Sequence, residues 1–285
     1  MIESGVLNDI LRYGPAFLLI AARALAMIET APLLSSDSIP QAAKLALAGF
    51  AAFAIFPAAG ASYMAGQPVL AGGAFAETGL EPFGLSFLLL LIGEGIIGII
   101  LGFFLTVIFS AFSTAGQFFS LQMGFGASET FDPLSQIENP LLGQYLYLVA
   151  MLVFLSVDGF QKLFLGGFRR SVQALNIVAL VTGRETVIGM FTAGLPRLFM
   201  DAIVISMPLL GTLFLTSLAT GLISKAAPQI NILSEGFPIS ITVAFLLLFA
   251  ALPFMTEAFA RVVDSGFGSI ELLYTRIGSP IGEAL

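Results

Sequence analysis

An all-α integral membrane protein is predicted by three properties of this 285-residue chain: its composition, the spacing of its charges and the length of its apolar runs. Hydrophobic residues make up 58% and charged residues only 10%, whereas a soluble domain carries roughly 25% charged residues. No Lys, Arg, Asp or Glu occurs between Lys44 and Glu77, Glu94 and Glu129, Asp201 and Lys225, or Glu235 and Glu257. Each gap can hold a helix across a bilayer, which takes about 20 apolar residues. Two apolar runs, 83–125 and 187–224, are longer than one crossing needs. As continuous helices they would reach about 65 and about 57 Å, against a hydrocarbon core near 30 Å. Tilt alone cannot absorb that excess, so each run either folds back as a hairpin or leaves the bilayer and packs against other apolar protein.

Composition also excludes whole function classes. The chain has no Cys, His or Trp, which removes disulfides, metal sites built on Cys or His, and catalysis by a Cys nucleophile or a His base. The sequence therefore predicts no enzyme activity and no cofactor. A Ser-Lys enzyme would need its pair a helical turn apart, but Ser224 and Lys225 are adjacent. A secondary transporter would show inverted repeats, and none is visible. The net charge of −7 argues against nucleic acid, because neutralising phosphates takes clustered Lys and Arg. The start of the chain carries Glu3 and Asp9 before any basic residue, unlike the basic head of a cleavable signal, so that segment is expected to be retained.

The first run, 15–34, places Arg23 and Glu29 at membrane depth, where a charge is costly and faces a partner or water. The second, 45–64, is free of charge. The third contains LIGEGIIGIILGFFL. Here Gly95, Gly98 and Gly102 supply small surfaces for close helix approach, and Glu94 lies deep in the apolar stretch. The runs at 141–157 and 187–224 follow, and in the latter Arg197 and Asp201 stand four apart, where two side chains on one helix face can meet. Such charges are either structural ion pairs or part of a path for a proton or coupling ion. The last run is 239–260, after which Glu257 and Arg261 form another pair four apart.

Two interruptions carry further meaning. Residues 116–140 contain the glycines of MGFG, then Asp132-Pro133 and Asn139-Pro140, and read as a loop with bulky apolar contents. Its Phe and Met side chains suit either an interfacial anchor or a deformable seal across a channel. Between the last two runs, residues 225–238 hold Lys225, Pro228, Gln229, Asn231, Gly236 and Pro238. That set predicts a broken-helix turn at membrane depth, where irregular backbone survives only under protein or water. Charge bias adds a topological expectation: 158–185 carries Lys162, Arg169, Arg170 and Arg184 and reads as cytoplasmic, whereas 59–82 and 116–140 carry only acids and read as exported.

Five segments, in order, resemble the flagellar biosynthesis protein FliR family and its SctT-like counterparts in virulence secretion. They are RALAMIETAPLLSSDSIPQAAKLALA, EGIIGIILGF, MGFGASETFDP, YLVAMLVFLSVDGFQK and the stretch around KAAPQINILSEGFP. The resemblance implies one membrane-embedded export-gate domain over 1–285, built from kinked helices and helical hairpins that pack in a helical hetero-oligomeric gate. It further implies FliP-like and FliQ-like partner subunits and an FlhB-like switch protein. Unfolded export substrates would pass through, membrane lipid would surround the assembly, and the location would be the inner membrane at the flagellar basal body. In the family the loop at 116–140 resembles a pore plug, which maps onto Met123, Gly124, Phe125 and Gly126 as its bend and Asp132 and Pro133 as its far anchor.

Overall fold

The computed structural model describes residues 2–66, 84–122, 141–226 and 232–278, and among these every regular element is helical. In chain order they are α1 Ile2–Thr30, α2 Gln41–Gly66, α3 Leu85–Gln122, α4 Leu141–Ser156, α5 Gly159–Gln161, a π-helical segment Lys162–Phe168, α6 Arg169–Ala174, α7 Ile177–Thr182, α8 Arg184–Ala226 and α9 Ile232–Gly278. Four of them are long and apolar enough to cross a membrane, over Tyr13–Thr30, Gln41–Ala58, Phe87–Ser120 and Ile241–Ile277.

The two over-long runs do not fold back. Within run 83–125 α3 holds Leu85–Gln122, and α8 holds the whole of run 187–224, each without a break. The hairpin expected as one of two outcomes is therefore absent, which leaves apolar helix in excess of a single crossing. The physical reason is visible in α3. It contains no proline, and isolated glycines cost only about 1 kcal/mol each in a helix, too little to reverse the chain. Asp158, between α4 and α5, does mark a turn, since it sits at φ 56° in the left-handed region. Asp tolerates that conformation better than most residues, through local side-chain hydrogen bonding.

The chain forms two compact units, one from residues Met1–Thr106, Gly159–Ala193 and Gly266–Leu285, the other from Val107–Asp158 and Gly194–Ser265. In the first, α1 buries Leu19, Ile20, Ala24, Met27 and Ile28 on one stripe at the three-and-four spacing of a helix face. The α1–α2 connection is tied locally. Ala31 and Ser35 donate backbone hydrogen bonds around the end of α1, and the Pro40 carbonyl accepts from Ala43 at 2.9 Å to start α2. Facing these are Ile97, Leu101 and Leu105 of α3, Leu163, Phe168 and Val172 of 159–174, and Ile270, Leu273 and Tyr274 of α9, all buried.

The second unit is organised around aromatic rings. Phe109 meets Phe154 at 5.4 Å and Phe259 at 5.5 Å, and Phe112 meets Phe259 at 4.5 Å, all edge to face. That geometry sets ring edge against ring face, as the aromatic quadrupole prefers. Phe259 is fully buried between the other rings, so Phe259→Ala is expected to leave a cavity and cost about 3–5 kcal/mol. Thermal denaturation in detergent checks this, and Phe254→Ala, at a partly exposed ring, should cost much less.

Outside these cores the apolar surface is large. Phe50, Phe53 and Phe249 are 75%, 70% and 81% exposed, far more than a soluble monomer leaves in contact with water.

Candidate functional site

A close helix approach lies between α1 and α3. A Cβ built on Gly98 would strike the Arg23 carbonyl oxygen and stand 2.8 Å from the Ala26 methyl group. One built on Gly102 would strike the Thr30 hydroxyl and stand 2.6 Å from the Met27 carbonyl oxygen. Two backbones therefore meet with no side chain between them, and α1 offers carbonyls spaced along its face. Thr106, one turn beyond Gly102, donates its hydroxyl to the Thr30 carbonyl at 2.8 Å, satisfying one of the acceptors that a helix end leaves open. Gly95 is different. No atom stands within 4 Å of a Cβ placed there, so it does not share in the contact with Gly98 and Gly102.

The same crossing fixes the buried charges. Arg23, whose carbonyl Gly98 abuts, points its fully buried guanidinium at Glu94, one helical turn before Gly98 and equally buried. Both Nε and Nη2 lie 2.5 Å from the same Glu94 oxygen. Nη1 donates to the Ser171 hydroxyl at 3.2 Å and Nη2 to the Leu175 carbonyl at 2.9 Å. Ser171 in turn donates to the Phe168 carbonyl at 2.7 Å. One guanidinium thus links α1, α3 and the end of α6, with each contact a charge-assisted bond in a water-poor interior.

Nearby, Glu29 pairs with Lys44 at 3.0 Å, and Lys44 also donates to the Ser35 carbonyl at 3.2 Å. That lysine is only 3% exposed and clamps α1 to α2 across their connection. Neither Lys44 nor Ser171 and Leu175 was singled out from the sequence. Lys44 opens an apolar run and reads as its solvated boundary, while a serine and a backbone carbonyl carry no charge to draw notice.

The remaining predicted polar pair is arranged differently from the expectation. Arg197 and Asp201 face the same cavity of about 250 Å³, but Arg197 donates to Ser265 of α9 at 3.2 Å and not to Asp201. Basic-before-acidic is the weaker order for a pair four apart, because it opposes the helix dipole. Glu257 and Arg261, in the favoured order, do pair, at 2.7 Å.

Of the broken-turn residues, Lys225 lies in the last turn of α8, and Gly236 lies inside α9 together with Pro238. The expected turn over 225–238 is therefore helical at both of its ends, 225–226 and 232–238, and α9 accommodates Pro238 past its first turn at the loss of one backbone hydrogen bond. Pro228, Gln229 and Asn231 lie outside the described residues, as do the six loop residues Met123, Gly124, Phe125, Gly126, Asp132 and Pro133. Among the described residues no cluster of three or more acidic side chains could hold a metal ion.

The π-helical segment Lys162–Phe168 was not foreseen. It contains Gly166-Gly167, and the Gly167 carbonyl accepts a hydrogen bond from the buried Tyr274 hydroxyl of α9 at 2.9 Å. A wide turn displaces carbonyls from the regular ladder, and Tyr274 satisfies one of them. The paired glycines were the available signal.

Comparison with known proteins gives a consistent picture. Residues 15–266 match the family described as bacterial export proteins, family 1. The chain is 33% identical over 242 residues to the flagellar biosynthetic protein FliR of Escherichia coli (strain K12), covering 81% of this chain and 82% of that one. It is 30% identical over 244 residues to the protein of the same name from Bacillus subtilis (strain 168), covering 85% and 88%. With that of Borreliella burgdorferi it shares 34% over 187 residues, covering 65% and 70%.

Proposed function

The chain belongs to the bacterial export proteins, family 1, and we propose that it is a FliR-type subunit of the gate through which unfolded flagellar proteins cross the inner membrane at the basal body. The observation that carries this reading is the match over more than four fifths of the chain to proteins named for flagellar biosynthesis. The geometry supports a subunit role. The α1–α3 contact and the Arg23 network tie α1, α3 and α6 together, while Phe50, Phe53 and Phe249 stay exposed for lipid or neighbouring chains to cover. FliP-like and FliQ-like chains and an FlhB-like switch protein are the proposed neighbours. Co-expression followed by mild-detergent purification tests this: those chains should co-purify, and a stable solitary monomer would overturn the reading.

Closure of the gate is assigned to the part of 116–140 that follows α3, since 116–122, expected as loop, belongs to that helix. Glycine permits the sharp bend and Met and Phe supply a bulky, deformable seal. Deleting 124–128 is expected to leave assembly intact while ions and small solutes leak through the membrane. Conductance and complex yield are measured together. Normal yield without a leak would remove the loop from gating, and lost yield without a leak would make it an anchor.

A further inference from the structure

The cavity holding Arg197, Asp201, Arg261 and Ser265, with Val204 and Phe254 on its apolar side, belongs to neither the charge network of the first unit nor the gate loop. Three of its properties point to one ligand chemistry. Its charges are mixed and incompletely paired: Arg261 is paired through Nη1 with Glu257 at 2.7 Å, but Arg197 bonds to a neutral hydroxyl and Asp201 has no ion pair among the described residues. Its depth is set by both helices that line it. The charge-free stretch of α8 begins just after Asp201, and that of α9 ends at Glu257; each is long enough to cross a hydrocarbon core of about 30 Å. The cavity therefore stands at the same end of both stretches, the end that a crossing by these two stretches would set at the level of lipid headgroups. Its volume, about 250 Å³, is below the roughly 300–1,000 Å³ that encloses a drug-sized ligand, and suits a headgroup whose tails remain outside.

We propose that this cavity binds the headgroup of a zwitterionic phospholipid carrying a primary amine, as in phosphatidylethanolamine. The phosphodiester lies against the Arg197 and Arg261 guanidinia, which present planar donor forks suited to phosphate. The ammonium donates to Asp201, and the glycerol end runs along Val204 and Phe254. A purely anionic headgroup leaves Asp201 repelling it, and a trimethylammonium headgroup offers Asp201 charge but no hydrogen bond. The inference rests on membrane residence alone and not on the gate reading.

The test uses the full chain with the chains that co-purify with it, in mild detergent, supplemented at equal mole fraction with phosphatidylethanolamine, phosphatidylglycerol or phosphatidylcholine. Phosphatidylethanolamine is expected to raise the thermal midpoint most, by about 3 °C over the other two. Arg197→Gln should abolish the response to all three lipids. Asp201→Asn should keep a response but erase the preference for ethanolamine over choline. Equal shifts for the three lipids in the unaltered protein, or a larger shift with phosphatidylglycerol, overturn the proposal. So does an equal shift from free O-phosphoethanolamine, which would make this a soluble-phosphate site, and so does loss of partner chains in the variants with lipid response unchanged, which would make it a protein contact.

Discussion

Replacing Gly102 with alanine is expected to separate α1 from α3 and abolish assembly of the subunit. The added methyl group would fall on the Thr30 hydroxyl and beside the Met27 carbonyl. A flexible side chain could swing aside, but a backbone carbonyl cannot move without carrying its helix. Overpacking of ordinary core side chains costs roughly 1–3 kcal/mol, and a clash with backbone stands at or above the upper end of that range. Gly98→Ala meets the Arg23 carbonyl in the same way and also displaces the residue whose guanidinium holds Glu94, so its effect should equal or exceed that of Gly102→Ala. Gly95→Ala is the internal control. Nothing stands near its Cβ, and alanine is favoured over glycine in a helix by about 1 kcal/mol. Co-purification yields should therefore fall sharply for positions 98 and 102 and hold or rise for position 95. Normal yields for all three would show that the close approach carries no weight in assembly.

The second large effect belongs to Arg23 and Glu94. Removing either partner leaves the other buried and uncompensated, at a cost of about 3–5 kcal/mol. Arg23→Met and Glu94→Leu are each expected to give little folded protein. Combined, they remove both charges and put apolar volume in their place, which is often neutral or stabilising. The Leu175 carbonyl then loses its donor, costing about 1–3 kcal/mol, so the double variant should assemble with moderately reduced stability. This cycle separates two roles that sequence leaves open. If the double variant both assembles and exports, the pair is structural. If it assembles but does not export, the charge itself takes part in transport, as a proton or ion path requires.

Helices and membrane residence are legible in the sequence because both follow from long gaps between charges, which need no knowledge of what lies opposite. Glu94 was legible as a costly group for the same reason. Its partner was not, because Arg23 lies 71 positions away and several other cations were available. Gly98 and Gly102 announced a close approach through their spacing, but Gly95, on the same stripe seven residues before Gly102, shared the composition without the contact, since no neighbouring atom comes within 4 Å of a Cβ placed there. The Arg197–Asp201 spacing suggested a pair that the orientation of the helix dipole disfavours and a competing hydroxyl replaces. The length of the third and fifth runs admitted two outcomes; in the third the absence of proline, weighed against the modest cost of lone glycines, favours the continuous helix that is found, whereas the fifth stays helical through Pro196 and Pro208, which the sequence alone would read as breaks.

The π-helical segment at Lys162–Phe168 constrains how relatives of this chain can diverge. An α-helix advances 100° per residue, so deleting one position there would restore the regular ladder and rotate everything after it by about that angle. Ser171 and the Leu175 carbonyl would swing away from Arg23, and Tyr274 would lose its acceptor on Gly167. Descendants that keep the buried arginine should therefore tolerate substitutions between residues 162 and 171 far more readily than insertions or deletions. A lineage that changes the length of this stretch should have lost or moved Arg23 as well.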